Sequence, residues 1–473
     1  MDTIWATPLP DAKGPKYTLV AETIRRAVSD GQLEHGAKLP PVRDLAFRLQ
    51  ITPGTVARAY SMLTDEGLLV GEVGRGTFVA EPRAVALDED NECLLEIDVI
   101  AHGSEHRNAG DVNLFSPHLP AVGQTTLIRK LLADIAKDPP SGLMHYPSRQ
   151  SSRPARQAVV SWMEGAPIGP FGAEDVVLTN GGQNAISLIL QAVLKGRRPA
   201  VLVEELSYPG FRRAAELLRA DVVPVAMDAD GIDPAALEAA IRSCDAQVLC
   251  TSPEVHNPTL LRTPLARRRQ IAEICRRHDV QIIEDEVYRT TRAEVPTYRM
   301  LAPERAWYVS SISKLITPSL RVGFAVAPEG SVAAVRRASE HGFFGVATPI
   351  ADLTAMLLGH PRIGDLRDQV CERIGAYVQC AVNVLGMYDL HWREDVPFLW
   401  LVLPLGWRAG AFCRAAETQG VQIRSAEDFA TRNTNTPHAV RMAINAGVPL
   451  PTFEAALTRL RRLLDEPPEQ LEV

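Results

Sequence analysis

A lysine amine, several hydroxyls and a guanidinium share one short stretch, Ser310-Ser311-Ile312-Ser313-Lys314-Leu315-Ile316-Thr317-Pro318-Ser319-Leu320-Arg321-Val322-Gly323. Alone, Lys314 reads as an ordinary loop lysine. Ser311, Ser313 and Arg321 change that reading, because hydroxyls and a guanidinium fork suit a phosphate dianion. An amine able to form a Schiff base beside a phosphate cup points to pyridoxal phosphate. That cofactor also needs an anion at its pyridine nitrogen, a stacking ring and a donor to its phenolate oxygen. Gln281-Ile282-Ile283-Glu284-Asp285-Glu286-Val287-Tyr288 reads as a buried strand ending in acids and then a phenol. Ligands of doubly wound folds gather at such strand ends. Asp285 suits the pyridine nitrogen and Tyr288 the phenolate oxygen, whereas Glu284 and Glu286 read as solvated acids. Thr179-Asn180-Gly181-Gly182-Gln183-Asn184 follows a strand and opens a helix, whose free N–H groups form an anion site. A glycine pair also suits any tight turn. Tyr208 follows the next strand, where its ring either stacks on the cofactor or simply packs.

These residues need a frame. From residue 111 onward, β-like runs alternate with helical segments: Val176-Val177-Leu178, Ala200 to Val203, Val222 to Ala226, Gln247 to Cys250, Val280 to Ile283, Trp307 to Ser310 and Gly323 to Val326. That alternation predicts an α/β domain with a mostly parallel sheet over 111–473. The N-terminal part is built differently. Residues 17–30 read as a helix with Leu19, Thr23, Ala27, Ile24 and Val28 at helical spacing. Pro41 to Leu49 gives a second helix, and Thr52-Pro53 caps a third that runs to Glu66 with Val56, Tyr60 and Leu63 as its buried stripe. Leu68 to Val79, with glycines at its centre, reads as a hairpin. Three short helices and a hairpin make a winged helix-turn-helix over 14–80, whose third helix would present Thr52, Thr55, Arg58 and Ser61 to a major groove. Between the two parts, residues 81–110 carry an acidic run and a glycine-containing polar stretch and read as a linker.

Composition bounds the answer. The 473 residues exceed one ordinary core, and 46% apolar with 23% charged residues is usual for a globular chain. The net charge of −7 excludes a whole-chain basic footprint for nucleic acid, and Lys16 to Arg75 carries only +1. No apolar run approaches the ~18 residues of a membrane span, and Met1 to Lys13 lacks a signal-peptide core. Cys93, Cys244, Cys250, Cys275, Cys371, Cys380 and Cys413 show no paired close spacing, which favours reduced thiols in a cytoplasm over disulfides or a metal site.

Two resemblances extend these readings. The N-terminal segments Ile24-Arg25-Arg26-Ala27-Val28, Gly31-Gln32-Leu33, Gly36 to Ala46, Thr55-Val56-Ala57-Arg58-Ala59-Tyr60, Glu66-Gly67 and Gly74-Arg75-Gly76-Thr77-Phe78-Val79 resemble the GntR family of regulators. Pro41 stands where that family usually has serine, and Pro53 where it usually has a DNA-contacting arginine. The resemblance implies operator DNA as a partner and Arg43, Thr52, Thr55, Arg58, Tyr60, Arg75, Gly76 and Thr77 as its contacts. Residues 111–460 resemble fold-type I aminotransferases through Ser311, Ser313, Lys314, Pro318, Arg321 and Gly323, with Asp285 and Tyr288 at the pyridine and phenolate positions. By the same resemblance Asn257, in Asn257-Pro258-Thr259-Leu260, bonds the phenolate oxygen, although leucine replaces the usual final glycine. Gly182 and Gln183 supply phosphate N–H groups, Tyr146 reaches the phosphate of a partner subunit, and Arg441 anchors a carboxylate. Ser151 and Ala155 replace the glycine and leucine usual after that tyrosine.

A GntR-type head joined to an aminotransferase-like domain is similar to the MocR subgroup of regulators. This implies a homodimeric, pyridoxal phosphate-dependent transcriptional regulator that senses a small amino compound through external aldimine formation. The alternative is a working aminotransferase with an accessory DNA-binding module, and residual transaminase activity fits either reading. A third reading, a domain that has lost the cofactor and only dimerises, is disfavoured by Lys314, Asp285, Tyr288 and Arg321 standing together.

Overall fold

The computed structural model describes residues 16–34, 36–65, 68–72, 76–80, 111–289, 294–431 and 434–466. The chain divides into two compact units between His102 and Gly103, within the segment expected to be a linker; residues 81–110 themselves lie outside the described residues.

In the first unit, α1 (Lys16–Ser29), α2 (Val42–Arg48) and α3 (Pro53–Asp65) are followed by the antiparallel strands β1 (Leu69–Glu72) and β2 (Gly76–Val79). Each helix and strand boundary lies close to the place expected from capping and periodicity. The buried stripe of α1 is Val20, Ala21, Ile24 and Ala27, turned slightly round the helix from the one expected. It meets Leu45 and Ala46 of α2 and Val56, Ala59, Tyr60 and Leu63 of α3 in one apolar cluster. Pro53 occupies the first turn of α3, where a missing N–H costs nothing. The hairpin is tied back to the helices by Leu39 N–H donating to Thr77 O (2.9 Å) and Gly36 N–H to Val79 O (2.9 Å).

The second unit is built on a seven-stranded sheet. In spatial order its strands are Val176–Thr179, Gly323–Val326, Ala306–Ser311, Gln281–Asp285, Ala246–Thr251, Ala200–Glu204 and Asp221–Val225. Only Gly323–Val326 runs against its neighbours. Strands such as Ala200–Glu204 and Ala306–Ser311 are buried along their whole length, the pattern of a sheet covered on both faces. This is the α/β, mostly parallel architecture that the alternation predicts.

A second, antiparallel sheet was not anticipated. It runs Leu390–His391, Phe398–Val402, Ala439–Ala443 and Arg424–Ser425. Leu399, Leu401, Val440 and Met442 pack toward the helices Ile363–Leu385 and Leu450–Asp465. The period of two turns Phe398, Trp400 and Arg441 to the opposite face, where Phe398 and Trp400 pack with Leu206, Val255, Leu260 and Tyr288 from the loops of the large sheet. That contact draws the C-terminal strands onto the loops carrying the chemistry. Among the described residues, no helix is long and apolar enough to cross a membrane.

Candidate functional site

The strand Ala306–Ser311 runs into a single 3-10 turn, Ile312–Lys314, which Ser311 caps by accepting the Ser313 N–H (2.9 Å). This turn lifts Lys314 out of the sheet, and its Nζ lies 5.5 Å from the centre of the Tyr288 ring. Tyr288 is held edge-on against Phe398, with ring centres 5.0 Å apart. Asp285 ends the neighbouring strand Gln281–Asp285, and its Oδ1 accepts the Val287 N–H (3.1 Å).

Asp285 keeps partial solvent contact, yet the surrounding protein raises its pKa from 3.8 to about 7. Loss of hydration is the main cause. The Val287 N–H opposes the rise, Glu286 adds to it, and the nearby Lys314 charge also opposes it. A cation between Asp285 and solvent would restore the carboxylate, which suits a protonated pyridine nitrogen.

Glu284 and Glu286 are not the solvated acids expected from the sequence. Both are buried. Glu284 accepts the N–H groups of Tyr298 and Arg299 (both 2.7 Å), and Glu286 lies 3.8 Å from Arg289. Strand alternation explains the difference: Asp285 points to the opposite side of the sheet from its two neighbours. Those neighbours enter a buried ionic cluster with Arg289, Glu254 and Arg268, in which Arg268 and Glu254 pair at 2.9 Å.

The candidate phosphate cup lies where backbone approaches backbone. Gly181 has φ of +91° and precedes the helix Gly182–Val193. A Cβ on Gly181 would lie 2.6 Å from Arg321 Nη2, and one on Gly323 would lie 2.5 Å from Gly181 C. The guanidinium therefore rests on the glycine turn, beside the free N–H groups of a helix start. Arg321 reaches this position from a left-handed backbone conformation, with φ of +49°. Among the described residues, the buried Ser313 Oγ has no hydrogen-bond partner, a donor that can still take an acceptor. Gln183 donates from Nε2 to Gly210 O (2.9 Å), while its buried Oε1 has no partner among the described residues. The Tyr208 ring meets the same place: a Cβ on Gly210 would fall 2.2 Å from Tyr208 Cε1 and 2.0 Å from Gln183 Oε1. Glycines, the Ser313 hydroxyl and the N–H groups of a helix start around a guanidinium fit a phosphate, and Lys314, Asp285 and Tyr288 fit the ring it would carry.

Arg441 closes the other side. It donates from Nη1 to Asn257 Oδ1 (2.8 Å) and from Nη2 to Phe115 O (2.6 Å), between the rings of Phe398 and Phe429. Arg424, opposite Arg441 on the next strand, shares the Phe429 ring at 4.8 Å. Phe115, Phe398, Phe429 and Arg424 carried no motif in the sequence. Tyr146 differs from this enclosed set: it is 79% exposed and stacks on Phe344.

Leu260 has φ of +61°, so it keeps the left-handed conformation for which glycine is usual. The strain costs about 1–2 kcal/mol. Its side chain is only 6% exposed, within the cluster of Leu206, Phe398 and Trp400, and such burial contributes roughly 1.5–3 kcal/mol. Burial wins, so Leu260→Gly is expected to lower stability by about 1 kcal/mol rather than relieve strain; a urea melt checks the sign.

In the first unit, Arg43, Thr52 and Arg58 are exposed and Thr55 is half-buried. The Thr52 and Thr55 hydroxyls lie 2.9 Å apart, and the Arg58 guanidinium stacks 4.4 Å from the centre of the Tyr17 ring. Gly76 adopts φ of +123° at the start of β2, and Thr77 follows it. Tyr60 departs from the expected contact set. It is 5% exposed and its hydroxyl donates to Pro40 O (2.8 Å), so it braces α3 from within. Its place among the buried residues of α3 was legible; a DNA-facing role is not available to a ring so enclosed. Arg75 lies outside the described residues.

Residues 119–460 match the family of class I and II aminotransferases. The chain belongs to this family. Ahead of the aminotransferase-family domain, residues 16–79 match the gntR family of bacterial regulatory proteins, and the two in this order give the MocR layout. The HTH-type transcriptional regulator YdeF of Bacillus subtilis is 28% identical over 98% of this chain and 97% of its own length. The HTH-type pyridoxine biosynthesis transcriptional regulator PdxR of Corynebacterium glutamicum is 27% identical over 66% of each chain. Among solved structures, an archaeal alanine:glyoxylate aminotransferase superposes with a TM-score of 0.69 at 18% identity, over 79% of this chain and 94% of its own. That likeness shows the fold of the aminotransferase-family domain.

The environment of Asp285 sets a pH dependence. Its folded pKa of about 7 exceeds the ordinary 3.8, so between these values the folded protein binds more protons than the unfolded chain. Its contribution to stability is therefore lost as pH rises from about 4 to about 7, with a limiting slope of about 1.4 kcal/mol per pH unit for one proton. Burial of His256 acts oppositely, lowering its pKa from 6.5 to about 4, so its contribution is lost as pH falls through that window. Asp285→Asn removes only the first effect. In cofactor-free protein, the stability lost between pH 5 and pH 7 is expected to be smaller in this variant than in wild type, by urea denaturation at both pH values.

Proposed function

We propose that this protein is a cytoplasmic transcriptional regulator that holds pyridoxal phosphate at Lys314 and reads an amino compound through it. The observation carrying this reading is the gathering of Lys314, Asp285, Tyr288 and the Arg321–Gly181 cup in a chain that also has a winged helix-turn-helix. When bound, the cofactor supplies a carbonyl that condenses reversibly with amines. The protein's own residues do the rest. Arg321, Ser313 and the Gly182–Gln183 helix start hold the phosphate, and Asp285 keeps a proton on the pyridine nitrogen. Tyr208 bears on the ring, while Asn257 and Tyr288 orient its phenolate oxygen. Arg441, with Phe115 and Phe429 around it, selects amines that carry a carboxylate or another anion. An effector shifts the protein between conformations only by binding them unequally.

The reading includes a homodimer. Tyr146 stacks on Phe344 (63% exposed), and Leu143 (63%) and Met144 (90%) just before it in the chain are also exposed; a second copy would cover them and bring Tyr146 to its neighbour's phosphate. Paired heads would then read two half-sites of operator DNA.

The test is DNA binding by the full-length protein to its own upstream region, with and without cofactor and candidate amines. Arg58→Ala should weaken that binding, because an exposed guanidinium on the polar face of α3 contacts phosphate or base edges. Unchanged binding in a gel-shift titration would remove α3 from the interface. Rapid transamination of common amino acids, with no affinity for this DNA, would establish the aminotransferase reading instead.

A further inference from the structure

A cavity of about 640 Å³ opens between the loops of the large sheet and the edge of the C-terminal sheet. Its walls include Leu206, Leu260, Trp392 and Trp400, with the carboxylates of Glu205 and Asp228 among the lining residues. None of Lys314, Asp285, Arg321 or Arg441 lines it, and among the described residues no lysine or arginine does. The volume lies within the roughly 300–1,000 Å³ of small-molecule sites.

The charges in this cavity are unequal. Asp228 is neutralised by Arg267, which grips both carboxylate oxygens at 2.9 Å. Glu205 uses Oε1 to accept the Met227 N–H (3.0 Å) and, among the described residues, has no basic side chain paired with it. The imidazole of His391 also lines the cavity, and its Nε2 lies 3.2 Å from Asp389 outside it. The cavity therefore presents one carboxylate without a basic partner, near two indoles. Trp400 is nearly buried, packed with Leu260, whereas Trp392 remains 42% exposed. An indole face attracts a desolvated cation, and a carboxylate nearby adds to that attraction.

We propose that this cavity is a second small-molecule site, taking an organic cation with an apolar body. The floor it would rest on is shared with the first site. Leu206 O can only accept, so His256 Nε2–H donates to it (2.8 Å) and Nδ1 accepts the Thr259 hydroxyl (2.6 Å). This staple joins the loop leading to Tyr208 with the loop that carries Asn257. A cation in the cavity thus bears on residues at both ends of the cofactor pocket, as a second chemical input.

The test uses benzyltrimethylammonium, a quaternary cation that cannot condense with a carbonyl or compete for Lys314. Calorimetric titration of the full-length protein should show saturable binding. Glu205→Gln and Trp392→Ala should each weaken it by about tenfold, as expected for losing an ion pair or a cation–π contact in a partly enclosed site. Saturable binding should persist in Lys314→Ala, whose altered position lies outside the cavity. Glu205→Gln keeps the acceptor for the Met227 N–H, so it decides the matter if Trp392→Ala fails to fold. Absence of saturable binding in wild type overturns the proposal. So does equal affinity in folded Glu205→Gln, or loss of binding in Lys314→Ala.

Discussion

Lys314→Ala protein, mixed with pyridoxal phosphate and freed of excess by gel filtration, is expected to show no visible absorption band and to retain little cofactor. Wild-type protein should carry a band near about 420 nm, the region of protonated imines of this cofactor. The size of the effect follows from what the lysine alone supplies. Arg321, Ser313 and the glycine turn still offer a phosphate site in the variant, and Asp285 still offers an anion. Those contacts are hydrogen bonds and ion pairs that exchange freely, whereas attachment at Nζ is covalent. The variant should therefore bind the cofactor weakly and reversibly, with no colour. DNA binding without effector should persist, because the first unit has its own apolar core around Val20, Ile24, Leu45, Val56 and Leu63. The response to an amine should vanish. A visible band of wild-type intensity in Lys314→Ala would move the attachment point elsewhere. Loss of DNA binding in a folded variant would mean that the lysine has a structural role in the active conformation.

The residues of this site were legible to different degrees, for physical reasons. Lys314, Asp285, Arg321 and the Gly181-Gly182 turn stand at strand ends or helix starts, and such places leave marks in sequence: an apolar run that stops, a glycine pair, a polar cluster. Arg441 could be assigned only by resemblance, because one arginine in a buried strand, Ala439–Ala443, has no local signature. Phe115 comes from a segment far from Arg441 in the chain and Phe429 from a separate turn, Ala426–Phe429, ahead of its strand, and only tertiary folding places both around its guanidinium. The fates of Glu284 and Glu286 were hidden for a related reason. An acidic strand end resembles a solvated turn until the arginines that bury it are known, and Arg268 and Arg289 arrive from opposite sides in sequence. Tyr60 shows the converse. Its place in the buried stripe was correct, and that burial is what denies it to DNA. The C-terminal sheet escaped notice because two of its strands, Leu390–His391 and Arg424–Ser425, contain only two residues each. Runs that short have no periodicity to read.

Gly323→Ala should have the next largest effect. Its added Cβ would sit 2.5 Å from Gly181 C, 2.7 Å from Gly182 N and 2.8 Å from Gly181 Cα. All three are backbone atoms, so no rotamer change relieves the clash, and the two chains must separate. The cost is about 1–3 kcal/mol, as for other overpacked interiors. The consequence for function should exceed that for stability. Gly323 opens the antiparallel strand Gly323–Val326, which pairs with Val176–Thr179 and with Ala306–Ser311. One neighbour leads to the Gly181-Gly182 turn, and the other ends beside Lys314. Moving this strand outward parts Arg321 from the turn and shifts the amine relative to the phosphate cup. Fluorescence-monitored melting should show a folded but weakened protein, and cofactor titration should show affinity reduced by more than the stability change alone predicts. Gly181→Ala is the matching control. Its Cβ would meet Arg321 Nη2 at 2.6 Å, the far end of a flexible side chain that can swing away. That variant also bears the strain of an alanine at φ of +91° and ψ of 167°, a region essentially reserved for glycine, about 1–3 kcal/mol. It should lose phosphate affinity while keeping the strand pairing intact. If both variants bind the cofactor as wild type does, the meeting of Arg321 with the glycine turn is not the phosphate site.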